Sequence, residues 1–232
     1  MASIRYLGHS SFLVELGGRT LLIDPWLAKE SRDAPASEKP RLIPPAITQD
    51  AVRKCDLILC THEHYDHADV FDVTAINQRT GCQVVAPDDT LGLFNIAPRF
   101  KVPVSVGDSF ELSGMHIAVT PARHPQSTYP VGFLLSSDRE EKTIYHAGDT
   151  FDSADFGRIQ CDLAMLPIGG KFTMDVLSAA TAVKRMRAKH VIPMHYNTHS
   201  MIRADPQDFA LRVKTQTKTE PVVLGVGEAV TI

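Results

Sequence analysis

Three histidines and an aspartate that could bind metal lie within residues 62–67, which read His-Glu-His-Tyr-Asp-His. Imidazole and carboxylate groups are the ligands that zinc, manganese, iron and nickel ions prefer. A structural zinc site more often uses thiolates in a closed shell of ligands. Because this cluster contains no thiol and offers more donors than one tetrahedral ion needs, it indicates a catalytic site that can hold two ions.

The position of the cluster in the chain supports the same interpretation. The apolar residues 57–60 directly before it predict a buried strand. If the chain stays extended past that strand, His62 and His64 project to the same side, because side chains alternate along an extended chain. A turn into the following helix would direct Asp66 and His67 toward a second position. The alternative, a solvated loop, gives no reason for so many histidines.

Three further candidate ligands follow predicted strands elsewhere in the chain. In open α/β sheets, functional groups collect at the carboxyl ends of the strands. The candidates are His124 after strand 115–121, Asp149 after strand 142–145 and His195 directly after strand 191–194. A single histidine at a strand end is more often an ordinary polar residue than a ligand. Together with the cluster, however, these residues complete a set of five histidines and two aspartates.

The pattern of apolar and turn residues predicts an α/β protein built in layers. Strands are predicted at residues 4–7, 11–16, 19–23, 57–60, 83–86, 109–112, 115–121, 131–136, 142–145, 161–168, 191–194 and 222–230. Helices are predicted at residues 69–80, 88–96, 176–187 and from 205 onward. We therefore predict a single domain over residues 1–232 with two sheets between helices. A proline-rich loop at residues 28–46 is expected near the site, since it leaves a strand end that points there.

Composition limits the classes of function. Of the 232 residues, 44% are hydrophobic and 22% are charged, as is typical of a soluble globular protein. The net charge of -3 gives no electrostatic basis for binding nucleic acid or an acidic membrane, so neither partner is expected. The four cysteines form no CxxC pair, and the apolar runs are too short for us to expect a signal peptide or a membrane-spanning segment. A cytoplasmic protein is therefore expected.

Taken in order, the candidate ligands resemble the pattern of the metallo-β-lactamase superfamily. That pattern is a strand ending in Asp, then His-x-His-x-Asp-His, a further His, a bridging Asp and a final His. In this sequence the corresponding residues are Asp24, residues 62–67, His124, Asp149 and His195. Several phrases are also similar to a smaller group of metal-dependent hydrolases related to ascorbate-6-phosphate lactonase. These phrases lie at residues 7–10, 23–26, 145–150, 166–169, 172–174 and 192–198.

The resemblance implies a fold and a ligand set. The fold would be a four-layer αβ/βα sandwich, with two mixed sheets flanked by helices and the site at one edge. Asp24 would orient a ligand from behind the site. The implied ligands are His62, His64 and His124 for one metal position, Asp66, His67 and His195 for the second, and Asp149 as the bridge between them.

The resemblance also implies a metal-dependent hydrolase. One or two divalent ions would lower the pKa of a bound water from 15.7 toward about 7, with zinc expected first and manganese, iron or nickel as alternatives. The resulting metal-bound hydroxide would attack a small ester, lactone or phosphodiester, and Asp66 and Asp149 would be the catalytic carboxylates. The expected partner is a small-molecule substrate, and an anionic one is compatible with this chemistry.

Five other polar residues are candidates for supporting the ligands or binding the substrate. They are Asp24, His9, His146, Lys171 and His199. For His9 and His146, contact with the site and ordinary packing both remain open. Lys171 could bind a substrate phosphate or carboxylate, or be a solvated loop residue, and His199 could line the mouth of the site. The bulky ring of Tyr65, inside the motif, is expected to narrow the entrance.

Alternative functions remain open at this point. A nuclease of the same superfamily would cleave RNA or DNA, which the negative net charge disfavours. A non-catalytic metal-binding or ligand-binding protein would be expected to have lost ligands, whereas all seven are present. A thiol-dependent hydrolase similar to glyoxalase II has no supporting residue outside the shared motif.

Overall fold

The computed structural model describes residues 1–29 and 41–232, so most of the loop predicted at 28–46 lies outside the described residues. The strands there are β1 (Ser3–Gly8), β2 (Ser11–Leu16), β3 (Arg19–Ile23), β4 (Leu57–Leu59), β5 (Gln83–Ala86), β6 (Lys101–Pro103), β7 (Ser109–Leu112), β8 (Met115–Pro121), β9 (Val131–Ser137), β10 (Glu140–His146), β11 (Gln160–Pro167), β12 (Arg187–Met194), β13 (Glu220–Pro221) and β14 (Ala229–Thr231). The α-helices are α1 (Val70–Thr80), α2 (Asp88–Gly92), α3 (Val176–Arg185) and α4 (Pro206–Gln216).

The strands form two mixed sheets. The first sheet has the order β14-β1-β2-β3-β4-β5-β6, antiparallel as far as β3 and parallel from β3 to β6. The second sheet has the order β13-β12-β11-β10-β9-β8-β7, antiparallel from β7 to β10 and parallel from β10 to β13. Each sheet therefore contains a parallel part, whose strands all end at one edge.

Local sequence signals begin and end the helices. The side chain of Asp69 accepts hydrogen bonds from the first backbone N–H groups of α1, and Gly81 ends that helix in the left-handed conformation. Asp175 and Ser178 form a capping box at the start of α3. Asp205 caps α4, with proline in its first turn, which agrees with the helix predicted from residue 205 onward. The start of α1 is thereby fixed directly after the His-Glu-His-Tyr-Asp-His cluster.

Three apolar clusters stack the elements into four layers. The central cluster joins the facing sides of the two sheets, with Phe12 from the first sheet and Phe133 from the second. A second cluster packs α3 and α4 on the outer face of the second sheet, where Phe209 is fully buried. The third packs α1 and α2 on the outer face of the first sheet, through residues such as Ile76 and Leu91. This arrangement confirms the predicted four-layer sandwich of two mixed sheets flanked by helices.

The sequence predicted a single strand over residues 222–230, but the structure of the C-terminal tail is different. Instead, β13 pairs with β12 in the second sheet, and β14 pairs with β1 in the first sheet. Between them the chain turns at Gly225 and Gly227, where Gly227 has a φ of 95° and Glu228 accepts a hydrogen bond from the backbone of Gly225. The apolar residues that suggested a strand therefore lie in a segment that passes from one sheet to the other.

Smaller boundary errors have a similar cause. The helix predicted at 176–187 ends at Arg185, because Met186 is already extended and Arg187 pairs with Gln160 in the second sheet. The helix predicted at 88–96 ends at Gly92, and β6 was not predicted at all. Pairing with another strand decides the outcome at Arg187, which pairs with Gln160, and at β6, which pairs with β5. No helix of the described residues is long and apolar enough to cross a membrane.

Candidate metal centre

The site lies where the ends of strands from both sheets meet. The motif loop 61–69 follows β4, and Asp24 follows the neighbouring parallel strand β3. In the second sheet His124 follows β8, Asp149 follows β10 and His195 follows β12 directly. The strand-end rule used on the sequence predicted His124, Asp149 and His195 beside the motif loop, and Asp24, which the resemblance implied, lies at the same edge. The structure brings all seven predicted ligands together there.

The first group of ligand atoms belongs to three histidines. Nε2 of His62 lies 3.1 Å from Nδ1 of His64, and Nε2 of His124 lies 3.3 Å from that same Nδ1. His62 and His124 are buried, whereas His64 is partly exposed. Three ring nitrogens that converge in this way form a face that a single ion can occupy.

The second group contains His9, Asp66, His67 and His195, whose ligand atoms lie within 4.8 Å of one another. Nε2 of His9 lies 3.1 Å from Oδ2 of Asp66. Three of these four are the residues predicted for the second metal position. His9, which the sequence left open, therefore contacts the site.

Asp149 lies between the two groups. Its Oδ1 is 3.2 Å from Nε2 of His67, and its Oδ2 is 3.0 Å from Nε2 of His195 and 3.9 Å from Nε2 of His124. The carboxylate therefore contacts histidines of both groups, which is the position that a bridging ligand would need.

Several buried polar atoms of this cluster have no hydrogen-bond partner among the described residues and are suited to binding metal ions. Nε2 of His67 and Oδ1 of Asp149 lie 3.2 Å apart, and neither atom has a hydrogen-bond partner among the described residues. Nδ1 of His195 is also buried without a partner there. Buried polar atoms normally have partners, so an orphaned cluster of nitrogen and oxygen atoms calls for an explanation. A divalent ion is the partner that this donor set suits.

The charge states of the cluster follow from burial and close contacts. Burial lowers the pKa of His62 well below its ordinary value and also lowers the pKa of His124, which keeps both rings in the neutral form that binds metal. Burial opposes ionisation of Asp149, but His195 and His67 hold its pKa well below the ordinary range. Burial likewise opposes ionisation of Asp66, whose pKa is held low by its hydrogen bond to His9. The site thus presents neutral imidazoles at His62 and His124 and charged carboxylates at Asp66 and Asp149.

Asp24 fixes His67 from behind. Its Oδ2 accepts a hydrogen bond from Nδ1 of His67 at 2.7 Å, and its two oxygens accept the backbone N–H and hydroxyl of Thr61, each at 2.8 Å. Asp24 and His67 are fully buried, and Asp24 has a φ of 47°. Burial lowers the pKa of His67, but Asp149 and Asp24 outweigh it and raise this pKa well above its ordinary value. The hydrogen bond from Nδ1 to Asp24 directs the Nε2 atom of His67 at the cluster.

The other predicted supporting residues have different surroundings. His146 is fully buried, donates from Nε2 to the carbonyl of Ser10 and accepts the N–H of Gly148, so it supports the loop that carries Asp149. His199 is buried, stacks on the ring of Trp26 and lines the cavity beside the cluster. Lys171 is exposed and does not line that cavity.

Two supporting contacts were not found from the sequence. Nδ1 of His9 lies 2.5 Å from Oγ1 of Thr198, which joins the loop after β12 to Asp66 through His9. Glu63 accepts hydrogen bonds from the hydroxyl of Ser127 and the backbone of Thr128, at 2.7 and 2.8 Å. Both pairs join segments far apart in the chain, and only the position of Glu63 inside the motif could have drawn attention to it.

A cavity of about 450 Å³ opens beside the cluster. Asp66, Asp149, His64, His124 and His195 form part of its lining. The remaining lining residues are Glu63, Tyr65, Ala68, Val70, Leu93, Gln126, Phe172, His199, Met201 and Ile202. A substrate in this cavity would therefore contact both predicted catalytic carboxylates.

Known proteins resemble this chain over nearly its whole length. A family model described as the Beta-lactamase superfamily domain matches residues 3–195. A UPF0173 metal-dependent hydrolase of Pyrococcus furiosus is 39% identical over 245 residues, which cover 99% of each chain. The structure of Igni18, a metallo hydrolase of Ignicoccus hospitalis, is 32% identical with a TM-score of 0.78, covering 99% of this chain and 97% of that one. A possible metal-dependent hydrolase of Veillonella parvula, 18% identical with a TM-score of 0.81 over 100% of both chains, shares the fold.

The chain therefore belongs to the metallo-β-lactamase superfamily, and the resemblance stated from the sequence is confirmed. Within the superfamily it is an enzyme of the metal-dependent hydrolase class, as its relatives are described.

Proposed function

We propose that this protein hydrolyses a small ester, lactone or phosphodiester with the help of two divalent ions. The observation that carries the proposal is the convergence of seven imidazole and carboxylate side chains in two groups, with Asp149 in contact with both. The set is complete, which gives no support to a non-catalytic binding protein.

Each group would hold one ion. Divalent ions bound there supply a Lewis acid and lower the pKa of a coordinated water toward about 7. Zinc is proposed first, with manganese, iron or nickel as alternatives, because a donor set dominated by imidazole suits all of these ions. The proposed ligands are His62, His64 and His124 in one group, Asp66, His67 and His195 in the other, and Asp149 as the bridge.

The side chains of the cluster position the reacting water. Asp66 and Asp149 line the cavity, and contacts with histidines keep them ionised despite burial. An ionised carboxylate beside the reacting water can accept a hydrogen bond from it and orient it, which is the catalytic role that we propose for both, while the proton of the water leaves to solvent. His9 holds Asp66 from behind, and Asp24 holds His67, so the donors keep their directions without substrate.

The lining of the cavity favours a small molecule over a nucleic acid. Among the lining residues that the structure describes there is no lysine or arginine. Proteins that bind RNA or DNA neutralise phosphates with such residues. The nuclease alternative therefore has less support than a small-molecule hydrolase.

We also propose a cytoplasmic location. All four cysteines are unpaired and buried. Cysteines that stay reduced are typical of a reducing compartment.

The proposal is tested with protein purified without chelator. We expect hydrolysis of aryl esters, lactones or bis-aryl phosphodiesters to be lost on chelation and restored by added zinc or manganese. Asp149→Ala should lose metal and activity together, whereas the control Asp89→Ala, an exposed aspartate of α2, should keep both. Unchanged metal content in Asp149→Ala, or no activity in the metal-loaded protein, would contradict the proposal.

A further inference from the structure

We propose that the cavity binds a neutral, apolar acyl or alkyl chain of the substrate against an apolar wall. The apolar wall consists of Val70, Leu93, Phe172, Met201 and Ile202. This inference rests on the proposed function and specifies the class of substrate: a neutral carbonyl compound with an aliphatic tail.

The wall is assembled from four separate parts of the chain. Val70 begins α1, Leu93 follows α2, Phe172 lies in the loop between β11 and α3, and Met201 and Ile202 lie in the loop between β12 and α4. All five line the same cavity as Asp66 and Asp149. A ligand whose reacting group lies at these carboxylates would therefore place its tail beside apolar side chains.

Most of the wall is only partly covered by the protein itself. Leu93 is 43% exposed, and Val70, Phe172 and Met201 are partly exposed, while Ile202 is 1% exposed and anchors the wall. Removing apolar surface from water is favourable in proportion to the area removed. An aliphatic chain that covers this surface would bind more tightly with each added methylene.

The cavity lining offers a charged tail no lysine or arginine among the described residues. The charged residues that line it, among those described, are Glu63, Asp66 and Asp149, all of them acidic. Lys171 does not line the cavity, and its Nζ lies 3.1 Å from Sδ of Met201 and 5.3 Å from the centre of the Phe172 ring. A carboxylate or phosphate buried against the apolar wall inside the cavity would leave water without a cationic partner among the lining residues, which is costly. A volume of about 450 Å³ is in the usual range for small-molecule sites.

The inference is tested by titration calorimetry of the metal-loaded protein with methyl ketones, which offer a carbonyl and a tail but no bond to hydrolyse. The probes are 2-butanone, 2-hexanone and 2-octanone, with 7-oxooctanoate as the charged match of 2-octanone. We expect Kd to fall by up to about fourfold per added methylene while the chain contacts the wall. We expect 7-oxooctanoate to bind at least about tenfold more weakly than 2-octanone, since its carboxylate is desolvated without a partner.

Two variants connect this selectivity to the wall. Leu93→Glu places a charge on a half-exposed position and should weaken binding of 2-octanone while leaving 2-butanone unchanged. The matched control is Leu211→Glu on α4, at a leucine that is 62% exposed and does not line the cavity. This control should leave both affinities unchanged.

The outcomes separate this inference from the proposed function. A Kd that does not depend on chain length, or tighter binding of 7-oxooctanoate, overturns the apolar-chain inference even if short esters are hydrolysed. Binding that strengthens with chain length and responds to Leu93→Glu supports it, because the ketones report binding alone. If esters that carry the same aliphatic chains were then not hydrolysed, the proposed hydrolysis would be contradicted, whereas the inference about chain binding would remain supported.

Discussion

Nδ1 of His67 lies 2.7 Å from Oδ2 of Asp24, and both side chains are fully buried. A carboxylate can only accept at this contact, so the ring donates from Nδ1 and keeps Nε2 free for the cluster. Asp24 is itself fixed by two hydrogen bonds from Thr61, the first residue after the strand segment that leads into the motif. One buried carboxylate therefore orients both the motif loop and one of its histidines.

Replacing Asp24 by asparagine should weaken metal binding. Asp24→Asn keeps the size of the side chain but removes the charge, and such changes behind a ligand typically cost about 10- to 100-fold in metal affinity. Competition with a chromophoric chelator measures the change. Asp56→Asn is a suitable control, because Asp56 accepts hydrogen bonds from Thr20 and Arg19 on β3, outside the cluster. Equal affinities in the two variants would show that Asp24 does not orient a ligand.

Removing the carboxylate of Glu63 should loosen the segment that carries His124. Glu63→Ala deletes the acceptor for the hydroxyl of Ser127 and the backbone of Thr128, so we expect a loss of about 1 kcal/mol in the free energy of unfolding. We also expect weaker binding of one of the two ions, seen as biphasic release to a chelator. Glu228→Ala, which removes an acceptor for Gly225, should leave metal release unchanged. Identical release curves for the unmodified protein, Glu63→Ala and Glu228→Ala would exclude a role for Glu63 in the site.

Much of this site could be predicted from the sequence, because its ligands follow strands. The motif comes directly after the buried strand β4, and His195 comes directly after β12, so a rule about strand ends was sufficient to group them. The contact of His9 with Asp66 joins residues 57 positions apart, and that of His9 with Thr198 joins residues 189 apart. Such contacts depend on how the two sheets face each other, which no local sequence pattern predicts.

The errors in the fold have the same origin. Arg187 belongs to β12 because a partner strand is available at Gln160, although the local sequence continues the pattern of α3. The tail divides between the two sheets because both have an open edge beside it, at β12 and at β1. Pairing with distant strands outweighed local propensity in both places.

Adding a methyl group at Gly169 should disturb the site from outside the ligand set. A Cβ there would lie 2.2 Å from the carbonyl oxygen of His195 and 2.9 Å from Cβ of Ile202. The backbone at Gly169 or at His195 must therefore move. We expect Gly169→Ala to lower the free energy of unfolding by about 1–3 kcal/mol and to reduce metal affinity. Gly157→Ala, where nothing lies within 4 Å of the new Cβ, serves as the control. Denaturant unfolding and metal titration that fail to distinguish the two variants would contradict this account of the packing.

Asp72 should make stability depend on pH. Burial, together with nearby Asp69, raises the pKa of Asp72 from 3.8 to about 7. For an acid with a raised pKa in the folded state, ionisation opposes folding, so the cost is absent below about pH 4 and complete above about pH 7. Asp72→Asn can keep an oxygen for the backbone N–H of Leu27, which donates to Asp72 at 2.6 Å, while removing the charge.

The free energy of unfolding of Asp72→Asn, minus that of the unmodified chain, should therefore increase by up to about 4 kcal/mol as pH rises from 4 to 7. Urea unfolding of both proteins after chelation measures this difference without a contribution from metal release. Asp208→Asn, at a half-exposed position on α4, should show no such trend. A difference that stays constant or decreases with pH would contradict a raised pKa at Asp72.

The most direct test of the central claim is the metal content of the intact protein, measured by native mass spectrometry after purification without chelator. We predict about two divalent ions per chain, as in other two-metal hydrolytic sites. His64→Ala in the first group and Asp66→Ala in the second should each lower that content to about one ion, because each group has lost a donor. A chain that binds no divalent ion even when it is supplied, or variants that keep the full content, would contradict a two-ion centre at these residues.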